Sequence, residues 1–341
     1  FITSVCMTGQ HTQMVQTVFD LFDVNVSYII QPKEKSTSDL ADNLSYYVKS
    51  CGNIVNKVKP DVVIVHGDTT TTISGSLAAF AHGVKIAHIE AGLRTFNLRS
   101  PWPEEGFRQM VSRIADFNFA PTLLARKNLR QEGVPKERIV VTGNTIVDSL
   151  MLANSKLTDE NLTLEPKLRH SLIDDTSKVL LVTAHRRENW GEGIQKLCDA
   201  LHDIAKNDIE IIFPCHLNPI VRDKVLKNLG DTPNVSVIQP QPYLDFIYLM
   251  KHASLILTDS GGIQEEAPTF NTKVLIMRDT TERPEAVDAG AAVLVGTNPT
   301  EIVKHTLQYI NNVASCSGNM KNPFGDGHAS ERIIEVLSEK L

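Results

Sequence analysis

The sequence predicts an α/β protein built from two doubly wound, Rossmann-like domains facing a cleft. Three observations predict it. The 341 residues exceed what one hydrophobic core usually serves. Short apolar runs alternate with segments of helical period through both halves of the chain. A polar stretch over 155–177, with Ser155, Thr158, Asp159, Asp174 and Asp175, separates two such series and carries little strand pattern. Strands that alternate with helices form a parallel sheet with helices on both faces.

The first series opens with the strand ITSVCM and a helix over 13–22. SYIIQP, a helix over 38–57, DVVIVHGD, a helix over 70–82 and KIAHIEA follow, then helix 104–115, FNFAPT, helix 122–132 and IVVTGN. Ser36 and Asp39 are spaced as a capping box, Pro103 precedes the acidic pair Glu104 and Glu105, and Gly133 closes a basic helix end. The second series reads KVLLVTAH, IEIIFPCH, VSVIQP, SLILTDSGG, TKVLIMRD and AAVLVG, with helices over 193–205, 217–228, 243–252, 261–269 and 300–312. The domains are therefore 1–148 and 149–327, joined by a helix and linker. After the turn cluster Asn322 to Gly327, an amphipathic segment over 328–341 is placed to pack away from its own domain.

Composition narrows the function classes. With 42% hydrophobic and 22% charged residues the chain has material for sizeable cores. A net charge of -6 and a pI near 6.0 argue against a surface that neutralises nucleic acid, so an anionic ligand must be held locally. No apolar run approaches the roughly 18 residues of a membrane span, and Phe1 is not followed by a secretory leader pattern, so a cytoplasmic location without membrane attachment is expected. Cys6, Cys51, Cys198, Cys215 and Cys316 are odd in number, widely spaced and without a C-x-x-C pair, which points to buried free thiols.

The unusual polar residues stand at strand ends, where ligands of open parallel sheets bind. Asp259-Ser260-Gly261-Gly262 turns a strand directly into a helix. Glycine allows close backbone approach and the first helical turn presents N–H groups, so this turn reads as a diphosphate seat. A plain capped turn is the bland alternative. Glu266, one turn on, is placed to accept from ribose hydroxyls or to serve the helix dipole. Arg186 and Arg187 are placed to pair with phosphate oxygens, or to lie solvated. Gly191 and Gly193 do not complete a dinucleotide fingerprint, so no redox cofactor is expected. In the first domain, period-2 alternation sets His66 with Asp68 and His88 with Glu90 on matching sides of neighbouring strands. With Glu104 these acids read as an acid/base set whose mutual repulsion would favour proton transfer. The bland reading makes Asp68 the cap of the helix after it. His66, Asp68, His88 and Glu90 are chemically suited to zinc or manganese, but they lack a recognised ligand spacing, and no metal is expected.

VVIVHGDTTTT, HIEAGLRT, SPWPEE, VTGNTIVD, HRRENWG, HLNP, TDSGGIQEEAP, MRDTTERPEA and NPFGDGHASERI, collinear over the whole chain, resemble the bacterial non-hydrolysing UDP-N-acetylglucosamine 2-epimerases. The resemblance implies a fold like that of B-type nucleotide-sugar glycosyltransferases and glycogen phosphorylase, with the C-terminal helix packed on the first domain, and a homodimer. It implies interconversion of UDP-N-acetylglucosamine and UDP-N-acetylmannosamine, through elimination of UDP to a 2-acetamidoglucal and readdition, without a cofactor. It assigns Asp68, Glu90 and Glu104 as acid/base carboxylates and His185 as a residue beside the leaving diphosphate. Arg186, Phe246, Ser260, Gly261, Gly262 and Glu266 become UDP contacts, Phe246 through its backbone. Gln10, Gln13, Arg187 and His216 match segments that hold a second, activating substrate molecule in some members. The family opens with a strand, a Gly-Thr-Arg-Pro-Glu loop and a helix that would precede Phe1, so a second phosphate-facing loop is expected upstream. Phe107 replaces a usual Asn, and Asn271-Thr272-Lys273 a usual Gly-Lys-Pro. The alternatives are a hydrolysing epimerase, a UDP-sugar glycosyltransferase on the same fold, and an inactive nucleotide-sugar binder if the opening loop is absent. HGD rather than GDR at the strand end disfavours the first, and the three acids disfavour the second.

Overall fold

The computed structural model describes residues 1–9, 12–31, 39–173, 178–184, 191–312 and 321–341, with the side chains of 12–15 and 167 left out. The chain divides into two compact units, 1–149 with 324–341, and 150–323. Each is an α/β unit of parallel strands.

The first unit runs β1 (Cys6–Met7), α1 (Thr12–Phe22), β2 (Tyr28–Ile29), α2 (Leu40–Val58), β3 (Val62–His66), α3 (Thr70–Ala81) and β4 (Lys85–Ile89). It continues with α4 (Glu104–Ile114), β5 (Phe117–Ala120), α5 (Leu123–Gln131), β6 (Ile139–Val141) and α6 (Thr145–Ser155), which crosses into the second unit. Strands β3-β4-β5-β6 form one parallel sheet, and β1 and β2 pair separately. The apolar run that begins at Ile2 therefore yields a strand of only two residues. On β3, at the edge of its sheet, Ile64 is 52% exposed. The cap of α2 is Asp39, whose carboxylate accepts the Ala41 amide hydrogen, so Asp39 is the N-cap itself rather than the third residue of a capping box; Ser36 lies outside the described residues.

The second unit holds α7 (Pro166–Ile173), β7 (Val179–Thr183), α8 (Glu192–Ala205), β8 (Glu210–Pro214), α9 (Pro219–Leu229), β9 (Val235–Ile238), α10 (Tyr243–His252) and β10 (Leu255–Thr258). α11 (Gly261–Glu266), β11 (Val274–Ile276), α12 (Pro284–Asp288), β12 (Ala292–Leu294) and α13 (Pro299–Ile310) complete it. Pro268 falls in a 3-10 turn over Ala267–Phe270, which is why the helix expected to reach 269 closes earlier. The polar linker also contains α7, which buries Leu168 and Leu172 and is stapled by Asp245. That buried carboxylate accepts from the amides of Thr163 and Leu164 and from the Thr163 hydroxyl. The sheet order is β12-β11-β10-β7-β8-β9, so successive connections run one way from β7 and the other way from β10. The central strands β7, β10 and β11 are buried on both faces, as a sheet covered by helices requires, and the main core clusters Leu180, Val182, Ile211, Phe213, Leu257 and Leu275 with α8, α9 and α13.

The chain returns to the first unit at Phe324 and ends in α14 (Ala329–Lys340). The return begins earlier than the amphipathic pattern alone indicates, because Phe324 is fully buried and its carbonyl accepts the Asn144 amide hydrogen at 2.6 Å. Gly143 permits this approach, since its φ is +89° and an added Cβ would stand 3.3 Å from Gly325 Cα. The first amides of α14 donate to the Asp148 carboxylate, Ala329 at 3.1 Å and Ser330 at 2.6 Å, and Ile333 and Leu337 pack on Ala87, Phe117 and Phe119. Of the described cysteines, all free, Cys51, Cys198 and Cys215 are buried, whereas Cys6 is exposed, against the expectation of a buried thiol.

Candidate active site

In the first unit the acids sit just beyond β3 and β4. β3 ends at His66 and β4 at Ile89, so Asp68 and Glu90 lie outside the strands and strand alternation does not place them. Glu90 adopts φ +66°, a left-handed conformation rare for a side chain of its size, which turns its carboxylate toward the β3 loop. There Glu90 Oε2 lies 3.8 Å from His66 Nε2 and 3.2 Å from the position a Cβ on Gly67 would occupy. His88 does not accompany Glu90. It is wholly buried, its Nε2 donates to the Gly67 carbonyl at 2.8 Å, and burial lowers its pKa to about 3. It is a neutral brace of the loop.

Asp68 does not cap α3. The N-cap is Thr69, which makes no side-chain cap bond, and Asp68 Oδ2 instead meets Arg108 Nη2 of α4 at 2.5 Å. Glu104 opens α4 half-buried, and its carboxylate has no hydrogen bond or ion pair among the described residues. Its neighbour Glu105 is fully buried and accepts from the Thr95 amide at 3.0 Å, the Phe96 amide at 3.1 Å and Gln109 Nε2 at 2.8 Å. The two adjacent glutamates thus differ: one is tied into the loop, the other is available. Arg108 stands one helical turn after Glu104 on α4, and of the acids expected to repel one another, Asp68 pairs with that arginine and Glu90 lies near His66, whereas Glu104 has no such partner among the described residues. Sequence reading missed Arg108, because an arginine on an amphipathic helix reads as solvated. Among the described residues no cluster of three His, Cys, Asp or Glu could hold a metal ion.

In the second unit the chain reverses direction between β7 and β10, the point at which open sheets bind ligands. Both strand ends there carry singled-out motifs. Thr183 and Thr258 join their hydroxyls at 2.5 Å across the two strands, and Thr258 Oγ1 accepts the Ser260 amide at 2.9 Å, which starts the turn. Ser260 is the N-cap of α11 without a side-chain cap bond, so the turn is not the plain capped one. The glycine at 261 has a specific cause: an added Cβ would stand 2.6 Å from Arg283 Nη1. Arg283 is held by Glu265 and, at 3.0 Å, by Glu282. Burial opposes ionisation of Glu282, but Arg283 and Arg278 outweigh it and hold that carboxyl at about 2. Gln264 completes the frame, donating to the Ser260 carbonyl at 3.0 Å and accepting from Thr281 Oγ1 at 2.7 Å. Arg283, a guanidinium against the glycine turn, was also missed by sequence reading; the Thr-Thr-Glu-Arg-Pro motif was its only signal.

Glu266 lies in α11 with Tyr243 donating to its Oε1 at 3.2 Å, and burial raises its pKa to about 7. Phe246 stands in the first turn of α10, where its amide hydrogen goes to the Pro242 carbonyl at 2.9 Å, so any base contact there falls to other backbone atoms. His216 follows β8, and its Nδ1 accepts the Asn218 amide at 3.0 Å, which leaves Nε2–H as donor. Gln10, His185, Arg186 and Arg187 lie outside the described residues, as does the side chain of Gln13.

Glu266 also sets a pH dependence. Folding raises this carboxyl from 4.5 to about 7, so this group's contribution to stability is fully present below pH 4.5 and is lost as the pH rises from there through 7. The loss amounts to about 3 kcal/mol at alkaline pH. Glu266→Gln should therefore flatten the pH dependence of the urea midpoint between pH 5.5 and 8.5. An unchanged dependence would assign the raised pKa elsewhere.

A family model described as UDP-N-acetylglucosamine 2-epimerase matches residues 1–338. The chain belongs to the UDP-N-acetylglucosamine 2-epimerase family. The family member of Escherichia coli (strain K12) is 46% identical over 345 residues, covering 99% of this chain and 91% of that protein. The crystal structure of UDP-GlcNAc 2-epimerase from Neisseria meningitidis bound to UDP-GlcNAc matches at a TM-score of 0.90 and 42% identity, over 99% of this chain and 92% of that one. A glycosyltransferase from Rickettsia africae matches at a TM-score of 0.57 and 13% identity over 99% of both chains, a likeness of fold alone. The 2-epimerase fold is thus two doubly wound units, as the alternation of strands and helices led one to expect.

Proposed function

We propose that the chain is a non-hydrolysing UDP-N-acetylglucosamine 2-epimerase that interconverts UDP-N-acetylglucosamine and UDP-N-acetylmannosamine. The second unit binds UDP, and the first supplies acid and base. The observation that carries the reading is the state of the acids: Asp68 bound to a buried arginine rather than spent as a cap, and Glu104 without a partner among the described residues. In the forward direction a carboxylate removes the C2 proton, the C2–H pair becomes the C1=C2 bond, and the C1–O bond to UDP breaks. In return the β-phosphate oxygen adds to C1 and a second acid delivers a proton to the opposite face of C2. No electrons are gained or lost overall, so no redox cofactor is needed.

The turn 260–262 with Arg283 receives the diphosphate, assisted by Arg186 and by His185 on the leaving group. Glu266 accepts from the ribose hydroxyls, which favours its ionised form when UDP is bound. To Gln10, Gln13, Arg187 and His216 we carry over, by resemblance alone, the binding of a second, activating substrate molecule found in some members of the family. We assign the working form as a homodimer, as the family resemblance implies. A cytoplasmic location accords with free thiols at Cys51, Cys198 and Cys215. Among the described residues no helix is long and apolar enough to cross a membrane.

Incubation with UDP-N-acetylglucosamine in EDTA, without NAD, should yield UDP-N-acetylmannosamine by chromatography. Free N-acetylmannosamine with UDP would instead identify a hydrolysing enzyme. Turnover only with an added sugar acceptor would identify a transferase.

A further inference from the structure

Three separate bonds already fix the backbone of the loop that carries Asp68. The Thr72 hydroxyl donates to the His66 carbonyl at 2.6 Å, His88 Nε2 to the Gly67 carbonyl at 2.8 Å, and the Gly67 amide to the Ile89 carbonyl at 3.1 Å. The carboxylate of Asp68 is fixed by one contact alone among the described residues, the 2.5 Å pair with Arg108. That arginine is an expensive choice. Its side chain is 7% exposed, and its Nε and Nη1 are buried without a hydrogen-bond partner among the described residues. A buried ion pair with unsatisfied donors is a poor way to stabilise a fold, and an apolar residue of similar length would pack the same space at less cost.

What Arg108 provides instead is alignment. Its Nη1 lies 3.5 Å from Glu105 Oε2, and Glu105 holds the amides of Thr95 and Phe96. The carbonyl of Arg108 accepts from Ser112 Oγ at 2.8 Å, and Ser112 Oγ stands 3.5 Å from Nδ1 of the His88 that braces the same loop. Helix α4 therefore presents Glu104 from its first residue and grips Asp68, the 95–96 loop and the His88 brace from its next two turns.

We infer that Arg108 is a positioning residue for the epimerisation: it binds Asp68 Oδ2 so that Oδ1 is aimed at the substrate proton, and it registers Asp68 against Glu104 through α4. The inference rests on the acid/base reading of Asp68 given above. A carboxylate released from this contact can rotate about its side-chain bonds, and a misplacement of about 1 Å costs on the order of 10² in rate.

The test is a double-mutant cycle on the full-length protein, read by steady-state kinetics with UDP-N-acetylglucosamine. Arg108→Met should lower kcat about 10²-fold with KM changed less than about threefold, and Arg108→Lys should recover about a tenth of native turnover. In the Asp68→Asn background, Arg108→Met should cost no more than about threefold further, because the group it aims is already gone. Circular dichroism checks folding; if the Met variant does not fold, the Lys variant enters the same cycle with the same expected non-additivity. Native kcat in a folded Arg108→Met protein would overturn the inference, and so would losses that multiply in the double variant. Near-native turnover of Asp68→Asn would instead sink the acid/base reading itself, which separates the two failures.

Discussion

Asp68→Asn and Glu104→Gln are each expected to lower turnover by about 10² to 10⁴, equivalent to roughly 3 to 5.5 kcal/mol of transition-state stabilisation. The substitutions preserve shape and remove only the capacity to take or give a proton. For Asp68 the structure closes off the alternative explanation of a lost helix cap, since the N-cap position of α3 is Thr69 and the Asp68 carboxylate is paired with Arg108 instead. For Glu104 the adjacent Glu105 supplies the control: Glu105→Gln should act on folding, through the amides of Thr95 and Phe96 that it holds, more than on chemistry. Turnover within about fivefold of native in both Asp68 and Glu104 variants would remove them from the acid/base set.

The second large effect is expected at the glycine turn. Gly261→Ala places a methyl where the Arg283 guanidinium now lies, and that group cannot simply swing aside because Glu265 and Glu282 hold it. Overpacking of this kind costs about 1 to 3 kcal/mol. If Arg283 and the turn together seat a diphosphate, the same change should weaken UDP binding by about tenfold to a hundredfold, measured by calorimetric titration, since a charge-assisted pair is displaced. Unaltered UDP affinity in a stable Gly261→Ala protein would place the diphosphate elsewhere.

The parts legible in the sequence share one property: their signal is local. Strands such as Val179–Thr183 and Leu255–Thr258 are buried on both faces and read as unbroken apolar runs, so the alternation of the second unit was plain. Acids and glycines placed directly after strands were legible for the same reason, because a strand end needs no distant partner to be recognised. The rest depended on contacts between remote segments. Arg108 and Arg283 look like surface cations until Asp68 and Gly261 are brought against them. His88 looked like a companion of Glu90 until the positive φ of Glu90 and the bond to Gly67 separated their roles. Helix α7 was hidden in a polar stretch because three buried leucines, Leu164, Leu168 and Leu172, gave too weak a period. The Ile2 to Met7 run was read as a full strand because apolar composition does not report how many of its residues a neighbour pairs, and β2 pairs only Cys6 and Met7.

The measurement that bears most directly on the central claim is solvent exchange at C2. In deuterated water, UDP-N-acetylglucosamine should be converted to UDP-N-acetylmannosamine bearing deuterium at C2, as seen by loss of the C2 proton signal in NMR and a one-mass-unit gain. Product that forms with its C2 proton retained would contradict removal and return of that proton by Asp68, Glu90 and Glu104.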